Sequence, residues 1–222
     1  MITGGVDEAG RGPVVGPLVL ACAVFDEKGV AELKKLNVRD SKKVSPSRRE
    51  LLEPEIKKIA LDWKLTKIIP YEIDKLRKKI SLNVIEAYRV SQLFLSLKVI
   101  PPKTYVDAVD TDPEVYKKNI IQCLTDKNFK FPRKFEIISE HKADANYIEV
   151  GAASIIAKVE RDREIEKIKE KYGDFGSGYP SDPLTQEFIH KLIRKGELPH
   201  FVRRSWDTVN RKKQTSLDEF LP

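Results

Sequence analysis

Ile2-Thr3-Gly4-Gly5-Val6-Asp7-Glu8-Ala9-Gly10-Arg11-Gly12-Pro13 is the stretch whose reading decides the fold. Residues 2–7 are apolar enough for a short strand. That strand ends on two adjacent carboxylates, Asp7 and Glu8, where a core-facing run would carry none. Two glycines then flank Arg11, so the backbone can approach a ligand closely and offer its amides to a sugar hydroxyl or a phosphate. Residues 14–25 are β-branched and apolar, and read as a second, largely buried strand.

Outward from this hairpin, residues 46–59 predict a helix, with Pro46 at its first position and Ser45 before it. Residues 63–69 alternate as a third strand, and 82–97 form a mostly apolar helix. Residues 104–107 are a short fourth strand. A helix over 113–124 follows, with Asp112 as its N-cap, and then a fifth strand over 134–139. A long helix is expected over 145–172, with Ile148, Ala152, Ile155, Ile156, Val159 and Ile168 on its apolar face and Gly173 as its C-cap. A Gly/Pro-rich loop, a helix over 184–194 and a short basic helix over 206–213 complete the pattern. Strands first, then helix and strand in alternation, predict an α/β protein with a mixed five-stranded sheet flanked by helices and a helical C-terminal extension. The expected division is a core over 1–172, the extension over 173–213 and a tail over 214–222.

The 222 residues include 41 Lys+Arg against 34 Asp+Glu, a formal charge of +7 that suits a polyanionic partner. The longest uncharged run, residues 12–25, holds two prolines and is too short for a membrane span, and the N-terminus has no basic leader. Cys22 and Cys123 stand far apart in apolar surroundings with no metal-ligand spacing, so two buried free thiols in a reducing cytoplasm are expected. The high Lys/Glu content has a thermophilic cast.

Four acids stand where acid is unexpected. Asp7 and Glu8 close the first strand, Asp107 closes Thr104-Tyr105-Val106, and Asp144 lies between the fifth strand and the long helix. Such positions converge at one edge of a sheet, where four carboxylates would repel one another unless hard divalent cations neutralised them. Two cations at such a site can activate water against a phosphate. The alternative is structural: Asp110, Asp112 and Asp144 as helix caps, and Glu8 as a solvated turn residue.

Gly5-Val6-Asp7-Glu8-Ala9-Gly10-Arg11-Gly12-Pro13 with Gly16-Pro17 resembles the signature of ribonuclease HII. In order along the chain, Asp40-Ser41-Lys42-Lys43, Tyr105-Val106-Asp107 and His141-Lys142-Ala143-Asp144 are similar to further motifs of that family. So are Ala153-Ser154-Ile155-Ile156-Ala157-Lys158-Val159 with Arg161-Asp162, and Gly176-Ser177-Gly178-Tyr179-Pro180. The resemblance implies the ribonuclease H-like fold and two Mg²⁺ or Mn²⁺ ions held by Asp7, Glu8, Asp107 and Asp144. It implies cleavage of RNA in RNA–DNA hybrids and at single ribonucleotides embedded in duplex DNA. The cut falls 5′ of the ribonucleotide and leaves a 3′-hydroxyl and a 5′-phosphate. It further implies that Gly10, Arg11 and Gly12 read the 2′-hydroxyl, that Tyr179 packs on the following deoxyribose, and that Lys42, Lys43 and Lys158 hold phosphates. His141 is as readily structural as assisting. A monomer is expected. The related ribonuclease HIII normally carries an extra N-terminal domain, whereas the motif here begins at Gly5; a non-catalytic nucleic-acid adaptor would not need the intact acid set.

In the tail, Leu217, Phe220 and Leu221 fall at i, i+3 and i+4, so one helical turn would align them as an apolar plug, with Gln214 leading. This resembles the peptide that docks DNA sliding clamps, with Leu221 where an aromatic is usual. A terminus packed on its own domain is the competing reading. Clamps of this kind, with the thermophilic composition, lean towards an archaeal source.

Overall fold

The protein is described here from a computed structural model, for residues 1–38 and 44–210. The elements run β1 (Thr3–Ala9), β2 (Leu18–Phe25), α1 (Glu27–Lys35), α2 (Pro46–Ile59), β3 (Asp62–Ile68), α3 (Pro70–Leu76) and α4 (Leu82–Ser96). They continue with β4 (Lys103–Asp107), α5 (Pro113–Asp126), β5 (Glu136–Glu140), α6 (Ala143–Asn146), α7 (Ile148–Tyr172) and α8 (Pro183–Arg194). The strands form one five-stranded sheet in the order β3-β2-β1-β4-β5. β1 pairs antiparallel with β2 and parallel with β4, and β4 pairs parallel with β5. The mixed sheet expected from the sequence is therefore present.

Two compact units divide the chain. The first comprises Met1–Ala9, Val19–Thr66 and Ser81–Glu160; the second comprises Gly10–Leu18, Lys67–Ile80 and the chain from Arg161 onward. In the first, β2 is buried along its whole length, which its unbroken apolar sequence requires. Val19, Ala21, Ala23 and Phe25 pack with Leu52 and Ile56 of α2 and with Ala152, Ile155, Ile156 and Val159 of α7. Each fully buried aliphatic side chain of this kind contributes roughly 1.5–3 kcal/mol. In the second unit, Val14, Val15, Ile165, Phe175, Ile189, Phe201, Val202 and Val209 form a separate core.

Some expectations change. The second strand begins at Leu18 rather than at residue 14, because Pro17 has no amide to give to a ladder. Val14 and Val15 instead join the second core, where Val15 makes an isolated bridge to Val202. The long helix is broken at Tyr147, which is extended (φ −120°, ψ 121°) between α6 and α7. Its ring stacks on Tyr105 with centroids 3.9 Å apart, and its hydroxyl donates to Glu140 Oε1 at 2.7 Å. Two short helices, α1 and α3, went unread in the sequence. Cys22 is buried as expected but Cys123 only partly so, and both are free. Residues 207–210 turn helical, and the remainder of the expected basic helix lies outside the described residues. No described helix is long and apolar enough to cross a membrane.

Candidate active site

Parallel pairing of β1 with β4 aligns Val6 with Val106. The next residue on each strand is an aspartate, Asp7 and Asp107, so the register itself sets two carboxylates side by side at the carboxyl ends of neighbouring strands. Loops leaving that edge are where open α/β sheets assemble sites. Glu8 follows at once, its amide donating to Asp7 Oδ1 at 2.7 Å. One ligand oxygen from each of Asp7, Glu8 and Asp107 lies within 4.8 Å of the others. β5 pairs alongside, with Asp107 opposite Glu140. The chain then turns through Lys142 (φ 59°) into α6. The Ala143 amide donates to Asp107 Oδ1 at 2.8 Å, tying α6 to the acidic edge. Asp144, the next residue, is only 2% exposed. The structure thus gathers three of the four expected carboxylates into one group and holds the fourth one residue from an amide bonded to Asp107.

Asp7 is 5% exposed, and its carboxyl is pushed well above the usual aspartate range. Burial is the largest cause, followed by the negative charges of Glu8 and Asp107. A hydrogen bond from Ser154 and the charge of Lys158 act in the opposite direction. Ser154 and Lys158 are four residues apart on α7, so one face of that helix serves Asp7. Lys158 was expected to meet a substrate phosphate; the structure places its charge against Asp7. An acidic group in which the ionisation of Asp7 is opposed by burial and by its neighbours' charges, and whose donors are all oxygen, fits a hard divalent cation. Asp7, Glu8 and Asp107 would hold it, with Asp144 beside them. His141 directs Nδ1 and Nε2 at the carbonyls of Ala108 and Thr111, both at 3.3 Å, a structural placement.

In the second unit, the Gly10-Arg11-Gly12 loop is held from beneath by a residue the sequence reading missed. Arg203 is fully buried and is the largest such side chain among the described residues. It donates to the carbonyls of Gly10 (2.5 Å), Arg11 (2.9 Å) and Gly16 (3.1 Å). Trp206 adds a bond from Nε1 to the Gly12 carbonyl at 3.0 Å. With the carbonyls so engaged, the loop's conformation is fixed from the protein side. Gly10 has φ +88°, and a Cβ there would lie 2.6 Å from Arg161 Cδ and 2.7 Å from the Pro17 carbonyl, so no other residue fits. Tyr179, 43% exposed, lies against the same loop: a Cβ on Gly12 would stand 3.4 Å from its Cε1. The buried Arg161 guanidinium lies 5.6 Å from the Tyr179 ring centroid, within cation–π range. The signal for Arg203 was an arginine closing the apolar pair Phe201-Val202, and nothing local says which carbonyls it meets. Lys42, Lys43 and the tail residues Gln214, Leu217, Phe220 and Leu221 lie outside the described residues.

The sheet order, the parallel β1–β4 register and the carboxylates at its edge define a protein of the ribonuclease H-like class. The family profile for Ribonuclease HII matches residues 4–209. Ribonuclease HII of Pyrococcus horikoshii is 46% identical over the full length of both chains. Among solved structures, the ribonuclease H2 from Pyrococcus horikoshii is similar with a TM-score of 0.87 and 44% identity, covering 97% of this chain and 98% of that one. The RNase HII chain in the PCNA:RNase HII complex from Archaeoglobus fulgidus gives a TM-score of 0.82 and 42% identity over 93% of this chain and 96% of that one. The chain belongs to the ribonuclease HII family, whose members are hydrolytic endoribonucleases acting on RNA in RNA–DNA hybrids.

Proposed function

We propose that the protein cuts RNA in hybrids and single ribonucleotides in duplex DNA on the 5′ side of the ribonucleotide, with Asp7, Glu8, Asp107 and Asp144 as its catalytic acids. The observation that carries this reading is the convergence of three carboxylates within 4.8 Å around a buried Asp7. Those acids would hold two Mg²⁺ or Mn²⁺ ions, which when bound supply activation of the attacking water and stabilisation of the leaving oxygen. Lys158 offsets charge at Asp7. Water oxygen joins the phosphorus as the bond to the upstream 3′-oxygen breaks, leaving a 3′-hydroxyl and a 5′-phosphate.

Gly10, Arg11 and Gly12 recognise the 2′-hydroxyl, the group that distinguishes RNA from DNA at a junction. The Arg203 clamp supports this role, because it ties down the loop's carbonyls and so fixes its peptide planes. Tyr179 offers an exposed ring to the following deoxyribose, and Lys42 and Lys43 hold phosphates. Residues 214–221 dock a DNA sliding clamp through Leu217, Phe220 and Leu221, with Gln214 leading; the existence of a PCNA complex for a relative supports that role. Two free cysteines support a reducing, cytoplasmic setting.

A duplex DNA carrying one ribonucleotide, incubated with Mg²⁺, with Mn²⁺ and with chelator, tests the reading. Cleavage is expected only with metal, with one cut 5′ of the ribonucleotide and the stated ends. Metal-independent cleavage, or no cleavage with either ion, overturns it. The same assay with the cognate clamp, comparing the full chain with one ending at Lys213, should show clamp stimulation for the full chain alone; equal stimulation removes the tail from that role.

A further inference from the structure

We infer that a groove between α3 and residues 200–205, in the second unit, binds the sugar–phosphate backbone of the substrate duplex beyond the ribonucleotide. This rests on the reading of Gly10-Arg11-Gly12 as the ribonucleotide reader. The groove has a volume of about 820 Å³. Tyr71, Lys75, Arg77 and Lys78 line one wall, and His200 and Arg204 the other. Four of these side chains are positively charged at neutral pH. Asp74 is the acid in the lining, and its carboxylate is engaged by the Arg204 amide (2.8 Å) and the Ser205 amide (2.9 Å), which pins the two walls together.

The cations on the α3 side face solvent rather than acids. Lys75, Arg77 and Lys78 are exposed, and Tyr71 is exposed with them. Tyr71 and Lys75 are four residues apart on α3, one helical turn, and Lys78 follows in the turn after the helix, so an aromatic ring and two ammonium groups line the same groove. A ring for a sugar and ammonium groups for phosphates is a pattern that suits a nucleic-acid backbone.

The groove is also joined to the proposed reader. The Arg77 guanidinium lies 4.7 Å from the Trp206 ring centroid, and Arg203 lies at the same distance from that ring. Trp206 Nε1 donates to the Gly12 carbonyl. Arg77 Nη1 also bonds the Ser205 carbonyl at 3.3 Å, so the basic wall and the loop share one indole as their common support. A strand held at Gly10-Arg11-Gly12 by its ribose would continue as a polyanion next to a fixed basic surface.

The double variant Lys75→Ala/Lys78→Ala tests this, with its melting temperature checked against wild type. Binding and turnover are measured on single-ribonucleotide duplexes whose two arms are trimmed in steps. On long arms, KM should rise about tenfold at ordinary ionic strength with kcat unchanged, and the log–log salt slope of binding should become shallower by about 0.9 for each of the two lysines removed. The charge-retaining pair Lys75→Arg/Lys78→Arg should restore wild-type values. Wild type and variant should converge when one particular arm is cut short. Unchanged KM and slope, or a deficit independent of the length of both arms, overturns the assignment. Should wild type fail to cut at a ribonucleotide, the reading of a single-ribonucleotide cut and of its reader loop falls; the salt slope on plain duplex DNA still decides the groove.

Discussion

Asp7 is held against its ionised form by burial and by neighbouring acids, and its stability effect has a definite sign. Its folded carboxyl titrates above the ordinary aspartate range because of burial, Glu8 and Asp107. In the unfolded chain the same group ionises at the ordinary value. The metal-free fold therefore loses stability as pH rises from that ordinary value through the raised one, and the deficit is fully present above it. Asp7→Asn should melt at a higher temperature than wild type near neutral pH without metal, the gap closing as pH falls to the ordinary aspartate value. Mg²⁺ or Mn²⁺ should stabilise wild type more than the variant. Superimposable melting profiles across pH would show that Asp7 carries no such strain. The acids were legible in the sequence because a carboxylate at the end of an apolar strand has no packing explanation. Arg203 was not: its acceptors, the Gly10, Arg11 and Gly16 carbonyls, lie nearly the whole chain away.

Elements place these side chains by register. The single offset that matches Val6 to Val106 puts Asp7 beside Asp107, and a one-residue slip would turn one of them to the opposite face. Hydrophobic alternation made β4 readable, but the pairing of β1 with β4, strands separated by four helices and two further strands, is a tertiary fact. The break at Tyr147 was hidden for a similar reason, since the stacking on Tyr105 and the bond to Glu140 that favour an extended residue come from β4 and β5. For the loop over residues 10–16, the controlling contact is the Arg203 clamp. Arg203→Ala would leave three carbonyls without their donor, at a cost on the order of 3 kcal/mol. Melting should fall by roughly 5–10 °C. At a temperature where the variant stays folded, selectivity for a ribonucleotide over plain DNA should drop while metal affinity at the carboxylates holds. Wild-type melting with wild-type selectivity would show that the loop holds its shape without the clamp.

Across the whole molecule, the residues proposed for chemistry and those proposed for recognition fall in different compact units, each made of interleaved stretches of chain. Asp7, Glu8, Asp107 and Asp144 lie in the first, and Gly10, Arg11, Gly12, Tyr179 and the basic groove lie in the second. The net charge of +7 gives the chain a general affinity for polyanions, and that affinity does not depend on the acids. Turnover and binding should therefore separate. The most direct measurement sets Asp7→Asn, Glu8→Gln, Asp107→Asn and Asp144→Asn beside wild type, reading kcat and substrate affinity on a single-ribonucleotide duplex with saturating Mg²⁺. Each variant is predicted to lose roughly a hundredfold or more in kcat, consistent with the several kcal/mol that metal-held charge contributes, while binding the duplex within a few-fold of wild type. Full turnover in the Asp7, Glu8 or Asp107 variant would contradict the account.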